Sequence, residues 1–218
     1  MVKLYGHPFA AYCWKALIAL YERGVSFTFL MVDAEHPENL EAVRRLGPAG
    51  QFPALVDGQR TVIESAAIIE YLDLYHGDAP PMTPRDPRAA IEARQMDSVF
   101  DDYLMAPLSR MVFNALRDEE LRDPLAEAEA GGALDRAYAW LEQWMAGRTW
   151  AANDAFGLAD CAGALALFYA HWGRPIPQEH AALHAYRARL LVRPSVARVV
   201  DEARPWRANF PLKRFAAD

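Results

Sequence analysis

The sequence of 218 residues has few of the features that mark several large classes of protein. It contains only two cysteines, Cys13 and Cys161, whose spacing matches neither a disulfide framework nor a metal site. It has no block of lysine and arginine, and its formal net charge is −6. We therefore expect no bound metal, no nucleic acid partner, and a reducing compartment.

Long apolar runs are also missing. The longest stretch without a charged residue, Cys161 to Gly173, is shorter than the ~20 residues that a membrane-spanning helix needs. The N-terminal residues Met1 to Tyr5 run directly into Gly6-His7-Pro8, without the apolar core of a signal peptide. These absences predict no membrane association and a cytoplasmic location.

The first third of the chain alternates strand and helix signals. Its composition, 53% hydrophobic and 24% charged, is typical of a globular protein of one large or two small domains. Apolar spacing predicts one helix over 13–21 and further helices over 40–46 and 65–72. Strand patterns occupy 3–5, 26–31, 54–56 and 61–63. The order βαβαββα predicts a thioredoxin-like α/β domain over residues 1–77.

The rest of the chain has a helical pattern and follows a linker at 77–81. Asp86 and Pro87 provide a helix cap and a proline at the first helical position, and Pro107 predicts a kink. Gly131-Gly132 predicts a loosened start of the next helix. The nearly uninterrupted apolar segment 158–172 predicts a buried helix, with further helices near 181–191 and 194–203. We expect an all-α domain over residues 86–218.

The segment from Gln51 to Ser65 carries the clearest binding chemistry. Phe52 precedes Pro53 and is biased towards an extended conformation, in which backbone groups can pair with another extended peptide. Glu64 and Ser65 stand where a helix begins, and a helix N-terminus favours a carboxylate through its free N–H groups and dipole. Together these features predict a site for an extended anionic peptide.

This segment resembles the cytosolic glutathione transferases, and the similarity extends over essentially the whole chain. Residues 47–55, Gly-Pro-Ala-Gly-Gln-Phe-Pro-Ala-Leu, are similar to the family pattern Asn-Pro-x-Gly-x-Val-Pro-x-Leu, whose second proline is cis. Glu64-Ser65 is similar to the acidic-Ser pair that holds the γ-glutamyl group. The resemblance implies that glutathione is the co-substrate. Its expected contacts are His36, Gln51, Phe52, Pro53, Glu64 and Ser65.

A second motif concerns the fold. Residues 156–160 resemble the family's Ser/Thr-x-x-Asp box at the start of the buried helix, with Gly157 in place of the hydroxyl residue. The resemblance implies a structural role for Asp160. Because glycine at an N-cap costs only a few tenths of a kcal/mol, we expect this replacement to matter little.

The catalytic position departs from the family pattern. Residues 7–15 align with Ser-Pro-x-Ser-Pro-Tyr-x-Arg-Lys of many bacterial members, and their catalytic serine falls on Ala10, which has no hydroxyl to stabilise the glutathione thiolate. We rank first the backbone N–H groups of Ala10, Ala11 and Tyr12, since a helix start can lower a thiol pKa from its usual ~8.5. The alternatives are the hydroxyls of Tyr12 and Tyr5, the Cys13 thiol and His7.

The resemblance also implies a second substrate and a partner. A small hydrophobic electrophile is expected in a pocket between the domains, lined by Tyr103, Pro107, Leu108 and Met111. A homodimer is expected, with the first domain of one subunit on the long helix of the other, where Phe100 and Met111 supply apolar surface.

The expected function is conjugation of glutathione to such an electrophile, a detoxification reaction. Two alternatives stay open at this point. One is glutathione-dependent reduction of disulfides or peroxides, and the other is a non-catalytic glutathione-binding module.

Overall fold

The computed structural model describes residues 1–76 and 79–212. Its first part is a four-stranded sheet in the order β2-β1-β3-β4, with β2 parallel to β1 and the other pairs antiparallel. The strands are β1 (Val2–Gly6), β2 (Phe27–Met31), β3 (Ala54–Asp57) and β4 (Arg60–Ile63). The helices are α1 (Ala11–Glu22), α2 (Pro37–Leu46) and α3 (Ser65–Tyr75). This order confirms the predicted thioredoxin-like arrangement.

The close approach of α1 to the end of β1 depends on Gly6. A Cβ at this position would lie 2.9 Å from Sγ of Cys13. Leu4 and Leu55 pair across β1 and β3 and are fully buried beneath α1. The sheet therefore fixes where the N-terminal end of α1 lies, and that end borders the candidate site described below.

The second part is entirely helical, as predicted. After α4 (Pro87–Phe100) comes a π-helical turn (Asp101–Met105), and short 3-10 segments occupy Glu119–Leu121 and Arg204–Asn209. The other helices are α5 (Ala106–Ala115), α6 (Pro124–Met145), α7 (Leu158–Gly173), α8 (Ala181–Leu191) and α9 (Pro194–Ala203). Among the described helices, none is long and apolar enough to cross a bilayer.

The domain limits at 77 and 86 stay a prediction. Residues 77 and 78 of the expected linker, and residues 213–218 of the second domain, lie outside the described part of the chain.

The kink expected at Pro107 takes the form of the π-helical turn just before it. Pro107 has no N–H to donate, and its ring crowds the carbonyl of Tyr103 four residues earlier. The N–H of Ala106 donates to the carbonyl of Asp101, five residues back, which widens the turn. The chain therefore stays helical from α4 through this turn into α5, and Oδ2 of Asp101 in the turn lies 2.8 Å from Nζ of Lys15 on α1.

The prediction that the next helix starts after Gly131-Gly132 is wrong. Helix α6 starts at Pro124, where Oδ1 of Asp123 accepts hydrogen bonds from the N–H groups of Leu125 and Ala126. Both glycines lie inside the helix. A Cβ at Gly131 would be 3.0 Å from Nη1 of Arg174, so this glycine serves a close contact rather than a helix end.

Helix α1 lies between the sheet and α7 and joins the two parts of the molecule. Trp14 on α1 packs on Phe168 and Tyr169 of α7, with ring centroids 4.9 and 5.0 Å apart. At the other end of α1, Glu22 receives two hydrogen bonds, of 2.7 and 2.6 Å, from Arg193. These contacts hold the helical part at a fixed position beside the start of α1.

Candidate functional site

A cleft of about 360 Å³ opens where the N-terminal ends of α1 and α3 meet the π-helical turn. Its volume lies within the range of small-ligand sites. It is lined by Tyr12, Gly47, Pro48, Ala49, Gln51, Phe52, Pro53, Ile63, Glu64, Ser65, Asp101 and Asp102. The cleft thus brings together six residues singled out from the sequence: Tyr12, Gln51, Phe52, Pro53, Glu64 and Ser65.

One wall of the cleft presents backbone groups. The Phe52–Pro53 peptide bond is cis, as the family resemblance implies, and strand β3 begins directly after it. Ser65 is the first residue of α3 and is 7% exposed. Glu64 has φ 68° and ψ 120°, a backbone conformation that residues other than glycine rarely adopt. Because the first N–H groups of a helix lack partners within it, this wall suits a carboxylate.

The start of α1 forms a second wall through Tyr12. Ala10 occupies the N-cap in an extended conformation and has no polar side chain to cap the helix. Ala10 and Ala11 adjoin the cleft in sequence but are not among the residues that line it. The sulfur-activating group therefore stays a prediction, with Tyr12 the only cleft-lining member of the three candidates.

The Tyr12 hydroxyl lies in a negative electrostatic environment. Burial, and then the charges of nearby carboxylates, raise its pKa to about 12. The carboxylates that act on it belong to Asp101, Asp102, Asp97 and Glu64. Tyr12 therefore stays protonated and can donate a hydrogen bond, while the same carboxylates disfavour any anion placed beside it.

The structure does not bring His36 to the cleft. Its Nδ1 lies 2.7 Å from Oδ1 of Asp33, at the N-cap position of α2. The hydrogen bond that the imidazole donates to the Asp33 carboxylate raises the pKa of His36. A role for His36 at the glycine carboxylate would require its release from Asp33.

The other candidates for sulfur chemistry also lie away from the cleft. Cys13 is fully buried, and burial raises its thiol pKa to about 12, so it is an inert thiol. His7 accepts a hydrogen bond from the N–H of Phe9 through Nδ1 and sets its ring edge against Trp206. Burial lowers its pKa. Tyr5 pairs with neighbouring strands within β1.

The four residues expected to line the electrophile pocket are separated in the structure. Tyr103 and Pro107 face a groove of about 620 Å³ between α4–α5 and α6, together with Trp140. Leu108 and Met111 are 2% exposed and belong to the hydrophobic core. The expectation of one shared pocket for these four is therefore wrong: Tyr103 and Pro107 line the groove, while Leu108 and Met111 lie on the buried face of α5.

The space between the β1–α1 loop and α7 is largely filled by aromatic side chains. Phe9 packs on Tyr169, whose hydroxyl donates a 2.9 Å hydrogen bond to the carbonyl of Phe9. Phe210, near the C-terminus, packs on Tyr169 and Trp172 with centroids 6.1 and 5.5 Å apart. An apolar second substrate would therefore meet this cluster if it entered between the domains.

A larger cavity, of about 730 Å³, lies on the far side of α1, between β2 and α9. Its polar side chains already bind one another. The Tyr21 hydroxyl donates to Glu202 at 2.8 Å, and Nε of Arg198 donates to the same carboxylate at 2.9 Å. The smaller cleft is the better candidate for a polar peptide ligand, because it brings the cis Phe52–Pro53 segment together with the N-terminal end of α3.

Sequence reasoning missed Asp101 and Asp102, which line the cleft, and the buried Lys15, which pairs with Asp101. The side chain of Lys15 is 0% exposed, and its Nζ lies 2.8 Å from Oδ2 of Asp101. Asp97 and Asp101 are four residues apart on a helix with a buried face, a spacing that places two acids on one side. This pattern was available in the sequence as a signal of a buried ionic cluster.

Comparison with known proteins supports the family resemblance. Models of the glutathione S-transferase N-terminal domain and C-terminal domain match residues 4–80 and 103–194. A probable glutathione S-transferase of Glycine max is 30% identical over 186 residues, which cover 85% of this chain and 76% of that protein. The chain belongs to the glutathione S-transferase family.

Two further relatives show the range of the similarity. A stringent starvation protein A homolog from Coxiella burnetii is 28% identical over 205 residues, 93% of each chain. A crystal structure of a glutathione S-transferase from Methylobacterium radiotolerans, in complex with glutathione sulfonate, superposes with a TM-score of 0.78 at 25% identity. That match covers 100% of this chain and 98% of the other.

Metal chemistry finds no support in the arrangement of possible ligands. Within residues 1–76 and 79–212, no group of three or more His, Cys, Asp or Glu side chains is arranged to hold a metal ion.

Proposed function

We propose that the protein binds glutathione in the cleft and conjugates its thiolate to a small hydrophobic electrophile. One observation carries this proposal: the extended segment at Phe52 and the N-terminal end of α3 at Ser65 line the same cleft. The first suits backbone pairing with the cysteinyl unit. The second suits the γ-glutamyl carboxylate. Asp101, on the facing wall, suits the γ-glutamyl ammonium.

The site has fewer groups that can activate the glutathione sulfur than groups that can bind the peptide. We assign it to the backbone N–H groups at the start of α1, assisted by the protonated hydroxyl of Tyr12. Ala10 supplies no hydroxyl, and the carboxylates around Tyr12 oppose a thiolate. We therefore expect slow conjugation compared with an enzyme that has a serine at this position.

A second candidate is a non-catalytic glutathione-binding module. The same two observations, Ala10 and the negative environment of Tyr12, favour it. Reduction through a mixed disulfide with Cys13 is not supported, because this thiol is fully buried and its pKa is raised to about 12.

We further propose a cytoplasmic homodimer. The groove beside α6 exposes aromatic side chains, with Tyr103 61% and Trp140 42% exposed. Exposed apolar side chains of the first domain, Leu74 and Tyr75, offer a surface of similar chemistry. Phe100 and Met111 were expected from the sequence to supply apolar surface to the dimer interface, but both are buried in the core. The exposed residues of the groove take their place in the proposed interface.

Calorimetric titration with glutathione tests the binding site. Replacing Ser65 with Ala should weaken binding by roughly 1–3 kcal/mol, the cost of leaving a charged group without its partner. Ser98→Ala, at an exposed position of α4, is the matched control and should leave affinity unchanged. Equal affinity of the two variants would remove Ser65 from the site.

Turnover with an aryl halide separates the two candidate functions. Binding together with measurable, slow conjugation supports the transferase. Binding without conjugation above the rate in buffer supports the non-catalytic module.

A further inference from the structure

The C-terminal segment, residues 204–212, packs on the last turns of α7. Phe210 is 4% exposed and Leu212 is 8% exposed. The centroid of the Phe210 ring lies 6.1 Å from that of Tyr169 and 5.5 Å from that of Trp172. Although they lie near the end of the chain, the apolar side chains of this segment are therefore part of the buried core.

The contact of Leu212 with α7 depends on the glycine that ends this helix. A Cβ at Gly173 would lie 2.5 Å from Cδ1 of Leu108 and 3.1 Å from Cδ1 of Leu212. Both methyl groups therefore approach the same point of the α7 backbone, one from α5 and the other from the C-terminal segment. Leu108 is one of the residues expected from the sequence to line the electrophile pocket, and Leu212 occupies the space beside it.

The same aromatic cluster adjoins the loop that leads to the proposed position of the glutathione sulfur. Phe9 directly precedes Ala10, whose N–H group belongs to the set that we assign to the sulfur. The Phe9 and Tyr169 rings have centroids 5.7 Å apart, and the Tyr169 hydroxyl donates a 2.9 Å hydrogen bond to the Phe9 carbonyl. An electrophile that approaches the sulfur from the helical domain therefore meets the surface that Phe210 contacts.

The packing beside this loop leaves little room for a further group. A cavity lined by Phe9, Phe168 and Trp172, among others, measures only about 10 Å³, close to the lower limit for one water molecule. By comparison, an apolar cavity that holds one benzene molecule measures about 150 Å³. An aromatic group can therefore enter this contact only if a side chain gives way.

We propose that Phe210 and Leu212 determine which electrophiles the protein accepts, because they fill the apolar space beside the glutathione sulfur. The site then favours electrophiles with a small alkyl group at the reacting carbon over those that carry a ring there. The inference rests on the proposed glutathione conjugation and specifies its substrate class. It also gives a reason, besides Ala10, for slow conjugation of an aryl halide.

The backbone at Phe210 is held independently of its ring. The N–H of Phe210 donates a 3.1 Å hydrogen bond to the carbonyl of Arg207, whose guanidinium carbon lies 4.7 Å from the ring centroid of Trp172. Loss of the phenyl ring in Phe210→Ala should therefore leave an apolar cavity at this point while the C-terminal segment stays in place.

Competitive calorimetry with glutathione, S-methylglutathione and S-benzylglutathione tests the proposal. In the wild type, S-benzylglutathione should bind no more tightly than S-methylglutathione, because its phenyl ring meets that of Phe210. Phe210→Ala removes a ring that the ligand can replace. The ratio of S-benzyl to S-methyl affinity should then rise roughly tenfold to a hundredfold, the effect of burying one phenyl group.

Phe113→Ala is the matched control, since it removes the same ring at a position of α5 that is 67% exposed. It should keep the wild-type ratio. The ratio is the readout, because both thioethers share the glutathione part and a general loss of binding affects them alike. If Phe210→Ala does not fold, Phe210→Leu removes part of the ring volume and should raise the ratio by a smaller factor.

An equal ratio in the folded Phe210 variant and in Phe113→Ala would overturn the inference. A wild type that already binds S-benzylglutathione far more tightly than S-methylglutathione would also overturn it, because the ring would then have an open site. In both cases binding of glutathione itself would leave the proposed function in place. Failure of glutathione to bind would instead overturn the proposed function.

Discussion

Lys15 and Asp97 form a buried ion pair between α1 and α4, with 2.7 Å between Nζ and Oδ1. The side chain of Lys15 is 0% exposed and that of Asp97 is 9% exposed. The pair connects the helix that starts at the candidate site with the helical part of the molecule. It also carries an energetic cost, because burial of two carboxylates beside one ammonium leaves an excess negative charge.

This cost predicts a pH-dependent stability. Burial raises the pKa of Asp97 to about 6 from its usual 3.8, and the attraction of Lys15 opposes only part of the shift. Since the folded pKa exceeds the unfolded one, the stabilising contribution of Asp97 is present below about pH 4 and is lost as pH rises through about 6. Asp97→Asn should therefore lose less stability than the wild type between pH 4.5 and 7.5.

The size of this difference is bounded by the shift itself. Each pKa unit corresponds to 1.36 kcal/mol, so a shift of about two units gives at most about 3 kcal/mol. Urea unfolding at several pH values measures it, with Asp118→Asn as the control for an exposed acid. Identical pH profiles for Asp97→Asn and wild type would show that another group titrates.

Gly157 gives a prediction that differs from the one made from sequence. A Cβ at this position would lie 2.4 Å from the carbonyl oxygen of Met82, which accepts a 2.9 Å hydrogen bond from Leu158. Gly157→Ser should therefore destabilise the protein by about 1–3 kcal/mol, although it restores the hydroxyl typical of the family. Chemical denaturation measures the change.

The control for Gly157 is another glycine. Gly132 lies inside α6, where a Cβ would meet only the flexible Nη1 of Arg136 at 3.5 Å. Gly132→Ala should stabilise by roughly 0.5–1 kcal/mol through helix propensity. A stabilising Gly157→Ser would mean that the Met82 carbonyl moves at little cost.

Helices that are marked by neighbouring residues could be predicted from the sequence alone. Asp86-Pro87 marks the start of α4, and the apolar run from 158 marks the buried helix α7, because caps and periodicity act within a few residues. Gly131-Gly132 led to a wrong prediction, because a glycine pair can either mark the end of a helix or permit close packing inside one. Only the position of Arg174, 43 residues later, distinguishes the two cases.

The residues of one wall of the cleft could be predicted from the sequence, and those of the facing wall could not. Phe52, Pro53, Glu64 and Ser65 are close in sequence and form a wall by local structure. Asp101 and Asp102 reach the cleft from the second part of the chain, through the π-helical turn before Pro107. Their role depends on how two domains pack, and no spacing within either segment encodes that contact.

The homodimer can be tested at the groove. Trp140→Glu places a charge on its apolar surface and should shift the protein from a dimer to the 24.5 kDa monomer at micromolar concentration. Val192→Glu, at a position 78% exposed on the C-terminal side of α8, should stay dimeric. Sedimentation velocity measures both. A monomeric wild type, or a Trp140→Glu variant that stays dimeric, would contradict this interface.

The missing hydroxyl at Ala10 leads to a prediction about the glutathione sulfur. Ala10 has the extended N-cap conformation that serine also adopts, so Ala10→Ser should fold normally. A hydrogen bond to an anionic sulfur contributes about 1.5–3 kcal/mol, which corresponds to roughly one to two pKa units. The pKa of bound glutathione should fall by that amount, and conjugation of an aryl halide near neutral pH should become faster.

Thiolate absorbance against pH measures the shift, and Tyr12→Phe is the matched comparison. If backbone N–H groups provide most of the stabilisation of the thiolate, this variant raises the wild-type thiol pKa only slightly, because only the assisting hydroxyl of Tyr12 is lost. A large rise in Tyr12→Phe would instead identify Tyr12 as the donor. An unchanged pKa in Ala10→Ser would place the sulfur away from the start of α1, and the proposed orientation of glutathione would then be wrong.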